Sequence, residues 1–344
     1  GRGRRSGVED HMNAQHVPAD LESIRTELAR LRRDARTVCA TTINFIVFID
    51  DAERRDWVME RATMIADKHP SRMIVLDTTG VEDGATVETF AGDGHGTIKS
   101  ERVTLSCRGM SADELRAIAH ALTIPDLPTI LWWTAEETVG NPRFDKLIEI
   151  AADVVVDSSG STRDDGAILG LCAFVERTRR GLALRDLAWM RLSPWHDMVA
   201  QFFDDAALRE ELFCIRSLKI VSGSSAEALY LAGWLGSRLG WKACGHDEFC
   251  DREGTPIKFS LVRDGGMRRV QTVAITTTNS TYIAEVTSDP GVVRLTVEGK
   301  KERPERLAPL QAIDNASLIE RAILERQTDK IFETALRMVG AILA

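Results

Sequence analysis

The run Ile43–Ile49 (INFIVFI), apolar at every position but Asn44, constrains the fold more than any other stretch of this chain. A strand with one wet face alternates apolar and polar side chains. A run without alternation is buried on both faces, as in the central strand of a helix-covered sheet. Residues 51–67 follow with Trp57, Ala62, Ile65 and Ala66 available for one apolar helix face. After the His69-Pro70-Ser71 turn, residues 72–77 (RMIVLD) read as a second apolar strand. Strand, helix, strand in this order predicts two adjacent parallel strands.

The alternation continues to about residue 178. Strands are expected at 86–90, 97–107, 129–133 (TILWW) and 153–157 (DVVVD), and helices at 17–34, 111–122, 144–151 and 166–177. Ser111 and Glu114 have the spacing of a capping box. The stretch 181–212 holds Trp189, Trp195 and a leucine group around Pro194, the content of a packed linker. Beyond it the rhythm changes. A strand at 213–221 and a helix at 224–239 precede four closely spaced strands at 258–263, 269–277, 281–287 and 292–297, with Asp264-Gly265-Gly266 as a hairpin signal. Charged residues 298–306 read as the end of that sheet, and 317–342 as one long helix.

The expected class is therefore α/β. An N-terminal mixed or parallel sheet is flanked by helices, Rossmann-like but without the dinucleotide fingerprint. A smaller α+β domain adds an antiparallel sheet and a C-terminal helix. The boundaries read as 17–180 for the first domain, 181–212 for the linker and 213–344 for the second. Residues 1–12, ending in His11-Met12, read as a vector-derived tail.

Composition removes several function classes. Asp plus Glu number 52 against 44 Lys plus Arg, a net charge of -8, which argues against a phosphate backbone as the main partner. The polar opening is unlike a signal peptide and no run of about 18 apolar residues occurs, so a cytoplasmic chain off the membrane is expected. Most of the six cysteines lie among apolar neighbours and read as small buried hydrophobes.

Chemistry-bearing patterns are sparse. A dinucleotide site wants a glycine-rich turn after the first strand, and here that turn is Asp50-Asp51. Gly223-Ser224-Ser225 opens a helix and could hold a phosphate, but a serine cap with Glu227 in the first turn explains it more simply. Cys244, His246 and Cys250 offer three ligands where a structural zinc wants four, and read best as a turn with two partly buried thiols, a disulfide or redox pair being the other option. Asp153 and Asp157 share a strand face and could act as paired carboxylates, or simply mark strand ends. No catalytic residue, cofactor or metal is expected.

At this point residues 69–74 (HPSRMI), 123–133 (TIPDLPTILWW), 153–159 (DVVVDSS) and 184–203 (LRDLAWMRLSPWHDMVAQFF), in this order and separation, resemble the glucose-6-phosphate dehydrogenase assembly protein (OpcA) family of bacteria. The resemblance covers nearly the whole chain after residue 17. It implies a non-catalytic partner that binds glucose-6-phosphate dehydrogenase and promotes its active oligomer or activity, in the oxidative pentose phosphate route that makes NADPH. Self-association is left open. His69, Arg72, Trp133 and Trp195 are the candidate partner contacts, because Arg and Trp are the usual interface anchors. The alternative is a sugar-phosphate or nucleotide sensor, or an α/β enzyme acting on a sugar phosphate.

Overall fold

The structure is a computed structural model that describes residues 15–34, 41–81, 84–91, 98–160, 164–177, 182–245, 248–264, 269–325 and 328–343. The tail 1–12 and His246 lie outside them. The chain divides into two compact units, 1–135 with 140–155, and 136–139 with 156–344.

The first unit comprises β1 (Gln15–Val17), α1 (Leu21–Asp34), β2 (Ile43–Ile49), α2 (Ala52–Lys68), β3 (Ser71–Asp77), β4 (Gly84–Ala91), β5 (Ile98–Ser106), α3 (Ala112–Leu122), β6 (Thr129–Trp133), α4 (Pro142–Leu147) and β7 (Asp153–Val156). Its strands lie in the order β1-β4-β5-β3-β2-β6-β7. From β5 to β7 they are parallel, and β4 runs antiparallel to both of its neighbours. The mixed sheet matches expectation. The unit β2-α2-β3 steps one way along the sheet and β5-α3-β6 steps back the other way. Right-handed crossovers then put α2 and α3 on opposite faces, and β2 is buried throughout.

One polar residue inside the β2 run has a structural task. Asn44 donates from Nδ2 to the carbonyls of Ile124 (3.0 Å) and Leu127 (3.2 Å), and its Oδ1 accepts from the Ile124 N–H (2.8 Å). This clamps the turn through Pro125, where Asp126 has φ 66°. The Ser111–Glu114 box forms as read, with both reciprocal bonds present.

The second unit comprises α5 (Asp164–Arg177), β8 (Ala183–Asp186), α6 (Leu187–Met190), α7 (Ser193–Gln201), α8 (Ala206–Arg209), β9 (Ile215–Ser222), α9 (Ser225–Leu239), β10 (Lys242–Gly245), β11 (Glu248–Cys250), β12 (Pro256–Arg263), β13 (Val270–Thr277), β14 (Ser280–Val286), β15 (Val292–Gly299), β16 (Arg303–Pro309), α10 (Asn315–Leu324) and α11 (Lys330–Leu343). Its sheet has the order β10-β11-β12-β9-β13-β14-β15-β16. Every pair is antiparallel except β12 with β9, because the long excursion through α9 returns the chain beside β9 in the same direction.

Several expectations are corrected here. The second unit is the larger, and its sheet is mixed rather than antiparallel. The division falls near residue 156 rather than 180, because α5 packs on α11: Cys172 Sγ meets the Leu336 carbonyl at 3.1 Å. Residues 303–309 form an edge strand instead of ending the sheet. The expected helix over 317–342 is two helices, because the Asp329 carboxylate accepts from the N–H groups of Ile331 (2.9 Å) and Phe332 (3.0 Å) and starts a new one.

The core of this unit lies between one sheet face and the helices. Leu218, Ile220, Val273, Ile275, Tyr282 and Leu295 point into it. Phe202 and Phe203 pack against Tyr282 with ring centroids 5.6 and 4.8 Å away. Helices α9 and α11 approach so closely at Gly233 that an added Cβ would sit 2.5 Å from the Ala335 carbonyl oxygen.

Candidate functional site

In an open parallel sheet, ligands bind where the strands end at their carboxyl side. In the first unit that edge is taken up by the chain's own carboxylates. Asp51 caps α2, accepting from the Glu53 N–H at 2.8 Å, so a helix start that could have held a phosphate already carries an anion. The Asp77 carboxylate accepts from Arg55 Nε (2.6 Å) and from the Thr79 N–H and hydroxyl (2.9 and 2.6 Å). Arg54 is drawn to the Thr134 carbonyl at 3.2 Å. The absence of glycine in this turn was legible in the sequence, and the geometry agrees with it.

The four candidate contact residues are placed as follows. Arg72 is only 5% exposed. Its guanidinium donates twice to Glu101 Oε2 (2.9 and 2.5 Å) and once to the Leu122 carbonyl (2.9 Å). Arg32 holds the other side of the same carboxylate at 2.5 and 2.9 Å. Burial alone would raise the Glu101 pKa, but the two guanidinium groups outweigh it and hold the carboxyl below its ordinary value. Trp133 is 1% exposed, stacked on Phe48 at 4.1 Å and met edge-on by Phe144 at 5.1 Å. Trp195 is 4% exposed. His69 caps the end of α2 through its N–H to the Ile65 carbonyl (2.8 Å), and its side chain is partly exposed. As exposed anchors, Arg72, Trp133 and Trp195 are corrected: apolar content has put both tryptophans in the core, and Arg72 is buried on Glu101 and the Leu122 carbonyl.

The second unit contains a charge cluster that no local pattern announced. Arg191 forks onto Asp157, with one bond of 3.0 Å and one shorter, and donates to Asn315 Oδ1 at 3.1 Å. Glu227 faces Arg191 at 3.7 Å and Arg269 at 2.6 Å. Burial pushes the Glu227 carboxyl up in spite of both guanidinium groups. It also opposes ionisation of Asp157, where the bonds from Arg191 win and the carboxyl is held low. Beside them Tyr230 donates to Asp186 Oδ2 at 2.8 Å, and Asp186 also accepts from the Ser158 and Ala188 N–H groups.

Arg191, Glu227 and Arg269 form one wall of a cavity of about 630 Å³, whose other walls include Trp195, Val270 and Ile313. The carboxylates here are committed to guanidinium groups, which suits a structural clip better than acid–base work. Of the rival carboxylate pair, Asp153 lies in the first unit, while Asp157 in the second is tied to Arg191. Ser224 accepts from the Glu227 N–H at 3.4 Å, so the Gly-Ser-Ser turn is a helix cap as read.

Cys244 and Cys250 are joined as a disulfide across the β10–β11 hairpin, with Cα atoms 5.8 Å apart. The preferred reading of two thiols is corrected, and two of the three conceivable metal ligands are used. No helix among the described residues is long and apolar enough to cross a membrane.

Comparison with known proteins adds the following. Residues 62–172 match the family model described as "Glucose-6-phosphate dehydrogenase subunit N-terminal domain", and residues 182–336 match its C-terminal counterpart. The chain is similar to a Nostoc punctiforme protein whose provisional name is OxPP cycle protein OpcA, 32% identical over 208 residues, covering 58% of this chain and 44% of that protein. A Synechocystis protein of the same name is 30% identical over 222 residues, covering 58% and 46%. The chain thus spans less than half the length of these two relatives. Among solved structures it is similar to an NAD binding oxidoreductase from Klebsiella pneumoniae, with TM-score 0.48, 11% identity and coverage of 87% and 95%.

Proposed function

This chain belongs to the OpcA family of glucose-6-phosphate dehydrogenase subunits, and on that premise we propose that it is a non-catalytic partner of that enzyme. It binds the dehydrogenase in the cytoplasm and promotes its active oligomer or activity, and so supports NADPH production by the oxidative pentose phosphate route. The observation that carries the non-catalytic part is the carboxyl edge of the first sheet. Asp51 occupies the helix start that a cofactor phosphate would need, and Asp77 is consumed by Arg55 and Thr79.

Such a partner works by differential affinity. It must bind the active state of the enzyme more tightly than the inactive one, since equal affinity shifts nothing. Of the four sequence-derived contacts His69 remains the candidate, because its side chain reaches solvent beside the turn into β3.

The experiment is a titration of this chain into a fixed amount of the dehydrogenase from the same organism, following NADPH formation. A saturable rise, with no NADPH made by the chain alone, is the expected result. An unchanged rate at every ratio, under oxidising and reducing conditions alike, overturns the proposal.

A further inference from the structure

The sheet of the second unit buries one face, and among the described residues its other face remains uncovered over five neighbouring strands. Alternate positions of β12, β9, β13, β14 and β15 stay exposed or half-exposed. Most carry small or β-branched uncharged side chains, among them Ala274, Thr276 and Ile283. Val262, also on this face, is 40% exposed. A bare sheet face is normally guarded by scattered charges of both signs. Here the central strand β13 carries none, which is the charge-depleted composition of an interface core.

The charges sit on either side of β13 and, Arg294 apart, are sorted by sign. Register places Lys258 of β12 level with Ser217 of β9, Thr276 of β13, Thr281 of β14 and Glu298 of β15. One pleat along, Lys219 of β9 is level with Ala274 and Ile283. One flank therefore carries Lys219 and Lys258, and the other carries Glu298 and Glu285. The remaining charge there, Arg294, is shared between Glu285 (3.9 Å) and Glu305 (3.1 Å). Among the described residues Lys258 and Glu298 make no ion pair of their own.

The Lys258–Glu298 row is complementary to itself. A two-fold axis parallel to the strands and above β13 keeps each row in place and exchanges β12 with β15. Lys258 then meets Glu298 of the second copy, and Glu298 meets Lys258 of the second copy. On the axis Ala274 faces Ala274 and Thr276 faces Thr276, small enough for two sheets to pack about 10 Å apart. Five strands at about 4.8 Å and seven or eight residues at about 3.4 Å give roughly 600 Å² of flat area, near the ~800 Å² per partner of a stable interface.

We infer that the uncovered face of β12-β9-β13-β14-β15 is a docking surface for a second copy of this chain, packed face to face about that axis. The inference does not depend on the enzyme partner. It is tested by sedimentation equilibrium of the full chain. Wild type is expected to associate reversibly to a dimer. Lys258→Glu and Glu298→Lys each raise the dissociation constant about tenfold, because the symmetry turns each swap into two like-charged contacts. The double variant Lys258→Glu/Glu298→Lys restores the wild-type constant, and thermal melts confirm that all four proteins are folded. A monomer at every concentration overturns the inference, as does a dimer indifferent to both swaps or a double variant that fails to recover. Loss of dehydrogenase binding by a chain that is monomeric throughout also overturns it, and assigns the face to the enzyme instead.

Discussion

Arg72→Met separates a structural arginine from an interface arginine. The substitution keeps the length of the stem and removes the guanidinium. It leaves Glu101, which has no exposed side-chain surface, with Arg32 as its remaining charged partner, and that residue's side chain is 41% exposed. The Leu122 carbonyl also loses its donor. Breaking a buried ion pair by removing one member costs about 3–5 kcal/mol, and the surviving Arg32 contact places this case at about 3 kcal/mol. For a body of this size that is a fall in melting temperature of roughly 6–12 °C. The pH dependence has a fixed sign. Glu101 is held below its ordinary pKa, so its contribution is present above the unfolded value and is lost as pH falls through the folded one. Without Arg72 the loss begins at higher pH. Calorimetry at several pH values measures both effects, and affinity for the dehydrogenase is measured well below the melting temperature. Binding per folded molecule should be unchanged. A variant that melts like wild type but binds the enzyme more weakly would refute the reasoning, and Arg72 would then be a surface contact.

Three further outcomes are expected. Gly233→Ala should destabilise by about 1–3 kcal/mol in denaturant unfolding although alanine favours helix, because the new Cβ lands 2.5 Å from a backbone oxygen and 2.7 Å from Val339 Cγ2. His196 lies between Trp189 and Trp234 at 4.8 and 4.4 Å with no partner at Nε2 among the described residues, and burial takes its pKa down to about 4. The unfolded chain takes up the proton that the folded chain refuses. Stability should therefore drop by up to about 3 kcal/mol as pH falls from 6.5 towards 4, and a His196→Phe variant should lose that slope in pH-dependent melts. Cys244→Ser opens a short covalent loop worth about 2 kcal/mol; hydrogen exchange should quicken in β10 and β11 while the first unit keeps its protection.

What the sequence revealed follows from which interactions are local. The largely apolar run of β2, the Ser111 capping box, the cap at Ser224 and the glycine-free turn at Asp50-Asp51 are set by residues within a few positions, and all were legible. Strand β16 was not, because an edge strand exposes its side chains and reads as charged coil. The break before α11 turns on a single aspartate cap inside an otherwise continuous apolar stripe. The buried ions were invisible for a different reason. Arg72 finds Glu101 29 residues away and Arg191 finds Asp157 34 residues away, so no window of sequence contains both partners. Trp133 and Trp195 look alike as core residues and as contact anchors, and only their surroundings in the folded chain decide.

The most direct test of partnership is the mass of the complex. Light scattering on a mixture of this chain with glucose-6-phosphate dehydrogenase from the same organism should show a discrete species heavier than either protein alone, in which both are present and the enzyme is in its active oligomer. Two species at their separate masses across all mixing ratios would contradict a function exerted through binding that enzyme.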